Sequence, residues 1–252
     1  MCLKASKKLS VLCSVKLLSR QTLDILYKIT VRSVLDYALP VYFKTLKQTE
    51  IVRLEQIQYR AAKLVTGALH YSSREKLNIE LGWETIQKRS DILGLSIFQK
   101  IHLHETRLLI RKCMPHLDFE RQHFLRSKGG YIPFKNLGSK FKTSFFPYHS
   151  ELWNTLPTNI QTLDMIDFKL YTSKELKPKK FKYFSKGSKF GNSLLTRIRV
   201  GRSYINQHTF SIGHTDSPQC LCHFREESPS HYFIDCFLYT PERQALFGLI
   251  EH

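Results

Sequence analysis

Residues 51–67, IVRLEQIQYRAAKLVTG, carry the clearest helical pattern in the sequence. Their apolar side chains recur every three or four positions, which is the spacing of one face of an α-helix. Gly67 follows the last of them and is typical of a helix end, because glycine takes the left-handed conformation without strain. Arg53, Arg60 and Lys63 lie on the other faces. The stretch therefore predicts an amphipathic helix with a basic outer surface.

The segments beside this helix repeat the same spacing. Apolar residues over 23–38 predict a helix that Ser19 or Thr22 caps. Pro40 is expected to end it, because the residue before a proline is disfavoured in helical geometry. Similar but shorter patterns predict two further helices, over residues 72–81 and 83–104.

The chain becomes less regular after about residue 110. Glycines and prolines interrupt the spacing, so we expect short extended pieces and one helix near residues 164–176. An exposed linker over residues 177–191 and a short helix over 194–206 are expected to follow. The predicted fold is mainly α, with a helical bundle over residues 1–110, a mixed connector over 111–192 and a helix with a small Cys/His module over 193–252.

Charge divides the chain into basic and acidic parts. The formal net charge of the 252 residues is +18. Residues 1–166 carry a net +13, residues 167–202 a net +9, and residues 203–252 a net −4. Such an excess of cations favours a polyanionic partner, either nucleic acid or an anionic membrane surface. The alternative is a basic protein without such a partner.

Residues 169–190 alternate lysines with aromatic side chains. Cations contact phosphates and aromatic rings stack on unpaired bases, so the pattern favours nucleic-acid binding. The alternative is a solvated loop whose aromatic rings are buried against the body of the protein. The candidate contact residues here are Lys174, Lys179, Lys180 and Lys182.

The sharpest local signal is the spacing Cys220-x-Cys222-x8-His231-x4-Cys236. Thiolates and imidazole are the ligands that hold zinc tetrahedrally. The first pair is closer than the usual two-residue gap, and His223 is a competing ligand. Ordinary reduced thiols in a small core are the alternative to a zinc site.

Several catalytic signatures are missing from this sequence. It has no adjacent pair of aspartates of the kind that serves two-metal phosphoryl transfer. It also lacks a glycine-rich phosphate loop and a G-x-S-x-G nucleophile elbow. These absences argue against a self-contained enzyme of the corresponding classes.

The sequence predicts an intracellular protein, with no distinction between nucleus and cytoplasm. No apolar run approaches the roughly 18 residues that a membrane span requires. The N-terminal residues lack the apolar core of a signal peptide. The six cysteines are therefore expected to be reduced thiols or metal ligands.

Ordered blocks along nearly the whole chain resemble one family, the non-LTR (LINE-class, jockey-like) retrotransposon reverse transcriptases. Residues 26–37, LYKITVRSVLDY, are similar to that family's L-Y-K-x-x-V-R-P-x-L-E-Y, with Ser33 in place of the proline, and Pro40-Val41-Tyr42 to its P-V-W. Further similar blocks are LEQIQYRAAKLVTG at 54–67, LGW at 81–83 with Lys88-Arg89, SFFP at 144–147, WNTLP at 153–157, LTRIRVGRS at 195–203 and DSP at 216–218.

The resemblance implies the C-terminal part of such a polymerase. The bundle would be its thumb, which grips an RNA or RNA/DNA duplex, and Arg53, Arg60 and Lys63 would contact the backbone. It also implies structural zinc at Cys220, Cys222, His231 and Cys236. The palm with its catalytic aspartates would precede residue 1, as in a truncated element or misassigned reading frame, so we expect no DNA synthesis.

Three functions follow as hypotheses. The first is a non-catalytic nucleic-acid-binding fragment, with neither a membrane nor a small-molecule substrate as partner. The second is a polymerase part that needs a palm in trans. The third is a helical module for protein contacts. The sequence leaves the oligomeric state open.

Overall fold

The computed structural model describes residues 1–103, 114, 131, 138–174 and 188–248. These residues form helices joined by short turns, with an isolated antiparallel bridge between Gln219 and Glu226 and no β-strand in the ranges just given. The prediction of a mainly α-helical fold is confirmed.

The helices are numbered in chain order. They are α1 Cys2–Ser14, α2 Arg20–Leu26, a π-helical turn Tyr27–Arg32, α3 Ser33–Asp36, α4 Leu39–Tyr42, a 3₁₀ turn Phe43–Thr45, α5 Gln48–Thr66, α6 Arg74–Leu81, α7 Ile86–Leu103, α8 Ser139–Lys142, α9 Phe145–Asn154, α10 Thr158–Gln161, α11 Met165–Lys174, α12 Lys189–Val200, α13 Asn206–Ser211, a π-helical turn His231–Asp235, a 3₁₀ turn Phe237–Tyr239 and α14 Thr240–Gly248.

The first core lies among α1 to α6. The predicted apolar stripe of α5 is buried in it, together with Leu23 from α2 and Leu77 from α6. Tyr27 stacks on Trp83 with ring centroids 4.3 Å apart. The indole N–H of Trp83 donates to the buried carboxylate of Asp24 at 2.9 Å. Hydrophobic burial and satisfied buried hydrogen bonds such as this one therefore hold the bundle together.

The helix predicted over 23–38 differs from the observed one at both ends. Ser19 caps it by accepting a hydrogen bond from the Thr22 backbone N–H. It ends at Asp36, because Tyr37 turns to ψ 115° and Ala38 takes φ 53°. The prediction that Pro40 ends this helix is wrong. Pro40 lies in the first turn of α4, where its fixed φ suits a helix start.

The predicted extended pieces are not found in residues 138–174, which form α8 to α11. Trp153 and Phe168 from these helices pack with Phe98 of α7 in a second core. Helices α8 and α10 have four residues each, which is too few to show a periodicity in the sequence. The helix predicted near 164–176 is confirmed as α11.

Helix α12 begins at Lys189, inside the predicted linker, and ends where Gly201 takes φ 76°. Ser188 caps it by accepting from the Gly191 backbone N–H. The predicted helix over 194–206 is thus shifted towards the N-terminus. Helix α12 crosses the expected boundary at residue 192 and packs on α5 and α6. The division of the chain into three parts stays a prediction.

Arg20 attaches α12 to the bundle. This side chain is only 2% exposed. Its guanidinium donates to the Val65 carbonyl at 3.1 Å, the Asn192 carbonyl at 2.7 Å and the Thr196 hydroxyl at 2.7 Å. The Val65 carbonyl is in the last turn of α5, where carbonyls lack a helical partner. One side chain therefore joins α2, α5 and α12.

None of the helices in the described part of the chain combines the length and the apolar character needed to cross a bilayer.

Replacing Arg20 with Met keeps most of the side-chain volume and removes every donor. We expect the Arg20→Met variant to lose about 3 kcal/mol of unfolding free energy, because buried acceptors are left without partners. Arg53→Met, at an exposed position of α5, is the matched control and should stay within about 0.5 kcal/mol of the parent. Urea unfolding measures both, and equal stabilities would contradict the role given to Arg20.

Candidate metal centre and basic surface

The first two candidate ligands lie on a tight turn after α13. The Cys220 backbone N–H donates to the Arg225 carbonyl at 3.0 Å, and the His223 N–H donates to the Cys220 carbonyl at 2.9 Å. His223 takes φ 61°, a left-handed conformation that few residues other than glycine adopt. This turn folds Cys220 and Cys222 back towards the same point, while the exposed His223 stays outside.

The other two candidate ligands, His231 and Cys236, are brought together by the π-helical turn His231–Asp235. The Cys236 backbone N–H donates to the His231 carbonyl at 2.8 Å, five residues earlier. Ser228 starts this turn by accepting from the His231 N–H at 3.1 Å. The x4 gap seen in the sequence therefore places His231 and Cys236 side by side.

The four ligand atoms form a compact, buried group. The sulfurs of Cys220 and Cys236 are 3.7 Å apart, and the sulfur of Cys222 is 3.2 Å from Nε2 of His231. All four atoms lie within 4.8 Å of one another. Two sulfurs bound at about 2.3 Å to one tetrahedral ion would be about 3.8 Å apart, whereas a disulfide needs about 2 Å. The group could hold one metal ion.

Few apolar side chains pack around the four candidate ligands. Its buried core consists of the three cysteines, with Tyr239 partly buried against them. So small a core contributes little hydrophobic free energy, and a bound metal is one of the ways in which small modules gain stability. The cysteine side chains themselves form the core of the module, since no larger apolar core lies beside them in the described residues of this segment.

The two thiols of the tight turn differ in acidity. Burial raises the pKa of Cys220 to about 11. Burial also acts to raise the pKa of Cys222, but hydrogen bonds from the Phe224 backbone, His231, Cys220 and the Arg225 backbone outweigh it and bring the value to about 6. The hydrogen bonds to Cys222 thus favour its thiolate, and a metal ion bound to both thiols would favour loss of their protons.

Glu227 is a structural residue that the sequence pattern did not reveal. Its buried carboxylate accepts from the Asn206 backbone N–H at 2.7 Å, and the Asn206 side chain donates to the Gln219 carbonyl at 2.8 Å. These contacts fix the cysteine turn to the start of α13. No local spacing links positions 206 and 227, so only the folded chain shows the pairing.

The predicted contact residues of α5 lie on its outer surface. Arg53 and Arg60 are exposed, and neither is paired with an acidic side chain among the described residues. The Lys63 ammonium lies 4.5 Å from the centroid of the Tyr59 ring. A spacing of seven residues and then three keeps these three cations on neighbouring parts of one helix face.

Further cations gather around Tyr59 from other helices. The Arg74 guanidinium of α6 lies 5.7 Å from the same ring. Burial raises the pKa of Tyr59, and the positive charges of Arg74 and Arg202 oppose that rise. Arg197 of α12 donates to the Gly67 carbonyl at 3.0 Å, beside the end of α5. We call Lys63, Arg74, Arg197 and Arg202 the basic cluster.

Four of the predicted contact residues are not placed by these observations. Lys179, Lys180 and Lys182 lie outside the described residues, and only the backbone of Lys174, at the end of α11, is described. Their role in binding stays a prediction.

Comparison of the chain with protein-family models, with curated proteins and with solved structures finds no match.

Cys236→Ser should release the bound metal and loosen residues after about 206, because metal affinity and local folding are coupled. Elemental analysis of the parent protein should give about one ion per chain. Cys13→Ser is the control, because Cys13 is exposed and outside the cluster. Metal-free parent protein with a protease-resistant tail would contradict this expectation.

Proposed function

We propose that this chain is a non-catalytic binding module for the backbone of RNA or of an RNA/DNA duplex. It would correspond to the thumb and terminal Cys/His part of a non-LTR retrotransposon reverse transcriptase. The resemblance of the sequence blocks supports the family, and the arrangement of cations supports the partner. An intracellular location is part of this proposal.

The observation that supports nucleic-acid binding best is that α5, α6 and α12 each contribute cations to the basic cluster. Helix α12 belongs to the +9 segment and α5 to the +13 segment, yet Arg20 holds the two helices together. Cations 130 residues or more apart in sequence therefore share one surface, which Arg53 and Arg60 extend along α5. Concentrated positive charge attracts a polyanion and releases its counterions.

A duplex backbone suits this surface better than base edges do. Phosphates recur at every step, so lysine and arginine can bind them without reading sequence. The A-form duplex, moreover, is recognised mainly through shape and backbone, since its major groove is too narrow for side chains. Binding should therefore be tight at low salt and indifferent to sequence.

Within the same proposal, the metal at Cys220, Cys222, His231 and Cys236 is zinc in a structural role. Three thiolates and one imidazole are a donor set that zinc prefers. Four protein ligands leave no open position for a reacting water, which separates structural from catalytic zinc. The ion would hold the cysteine turn and the π-helical turn together.

The basic cluster predicts a specific salt dependence. A variant with Arg60→Gln, Lys63→Gln and Arg74→Gln should bind duplex RNA more weakly, and its slope of log affinity against log salt should fall by about 2 units. The matched control is Lys88→Gln, Lys100→Gln and Lys142→Gln, which removes the same charge from exposed positions on α7 and α8. Fluorescence anisotropy at several salt concentrations measures both slopes.

Equal losses in the two triple variants would show that net charge alone drives binding and would contradict the placement. Equal affinity of the parent for anionic vesicles and for RNA would contradict the choice of partner. Several RNA sequences should give the same result, since phosphate contacts carry no base identity.

The proposal also predicts that the purified chain performs no templated DNA synthesis. Polymerases need carboxylates that bind metal ions at the growing end. The group that could hold an ion in the described part of the chain consists of thiols and imidazole. Primer extension on an RNA template measures the activity, and incorporation that survives repeated purification would contradict the proposal.

A further inference from the structure

The C-terminal module, residues 206–248, exposes large apolar side chains. Phe224 is 81% exposed and Phe237 is 57% exposed. Their rings contact edge to face, with centroids 5.8 Å apart, so they form one surface rather than two isolated side chains. Leu221, in the same turn as Phe224, is also exposed. A contiguous apolar surface of this kind is typical of an interaction site. We call it the Phe224 surface.

Acidic side chains outnumber basic ones in the module that carries the Phe224 surface. Arg225, Glu226 and Asp235 are exposed and close to this surface in the chain. The module has five Asp+Glu and two Lys+Arg, a net charge of −3. A polyanion such as RNA is repelled at this surface, whereas a partner with apolar and basic side chains is attracted.

The N-terminal part of the chain carries the complementary combination. Leu3, Lys7 and Val11 are exposed and follow one another at four-residue intervals, so they share one face of α1. Leu17, 89% exposed, lies in the turn after α1. Residues 1–22 have five Lys+Arg and no Asp or Glu. We call this the α1 surface.

We infer that the Phe224 surface of one copy of this chain binds the α1 surface of a second copy. Apolar side chains meet apolar side chains in this arrangement, and a module of net charge −3 meets a segment of net charge +5. Two Phe224 surfaces facing each other would instead bring like charges together. The contact is thus head to tail, and repetition of it yields a ring or an open chain of copies. This inference does not depend on RNA binding.

The inference predicts reversible self-association of the full chain. Nucleic acid must first be removed with nuclease, since it would bridge basic proteins. Sedimentation velocity should then show a mass that rises with concentration above the monomer's 29.6 kDa. Raising the salt concentration should weaken the association, because ions screen charges across the contact.

Two variants test the pairing of the surfaces. Leu17→Glu places an acid on the α1 surface, and Phe224→Lys places a cation on the Phe224 surface. Both positions are exposed, so the fold should survive. Each variant alone should be monomeric. An equimolar mixture should form a dimer of about twice the monomer mass, because one intact α1 surface and one intact Phe224 surface remain.

The outcomes separate the head-to-tail contact from other arrangements. A mixture that stays monomeric would overturn it, as would a parent chain that is monomeric at every concentration. Association unchanged in either single variant would place the contact elsewhere. Ile79→Glu, at an exposed position of α6 outside both surfaces, is the control and should associate like the parent.

Discussion

The buried guanidinium of Arg20 is the contact on which the arrangement of the described helices depends. Burying a charge costs free energy unless hydrogen bonds satisfy it, and Arg20 donates to groups on α5 and α12. Its partner Asn192 is 172 positions away in the sequence. The interaction therefore holds the late, strongly basic helix against the early bundle, together with the contact of Arg197 with the Gly67 carbonyl and the ion pair of Arg199 with Glu80.

The C-terminal module has a second constraint, because its buried core is made of three cysteine side chains. The cysteine turn and the π-helical turn meet at four buried ligand atoms and at little else. The module consequently combines weak intrinsic stability with a defined geometry, which is the situation in which a bound ion decides whether a segment is folded.

Basic and acidic surfaces are kept apart in this molecule. The basic cluster and the outer face of α5 expose cations, while the C-terminal module, of net charge −3, exposes the rings of Phe224 and Phe237. The separation follows from the sequence, because residues 203–252 carry a net −4 while the rest of the chain is basic.

The sequence by itself determined the features that depend on neighbouring residues. The apolar stripe over 51–67 predicted α5 together with its end at Gly67, and the spacing of the cysteines and His231 predicted a ligand group. Helical periodicity and the short spacings between metal-ligating residues depend on neighbouring residues, so they can be recognised in the sequence without the fold. The pattern failed for residues 138–161, where α8 and α10 have four residues each and α9 was not predicted, and at Pro40, which starts a helix instead of ending one.

Only the tertiary structure decided which distant residues share a surface. It left His223 outside the ligand group, tied Glu227 to Asn206, and brought Arg74 to the ring of Tyr59 beside Lys63. It also made the apolar rings of Phe224 and Phe237 an exposed pair. The physical reason is that packing and buried hydrogen bonds join side chains that are far apart in the sequence. Such pairings produce no periodic pattern in the sequence.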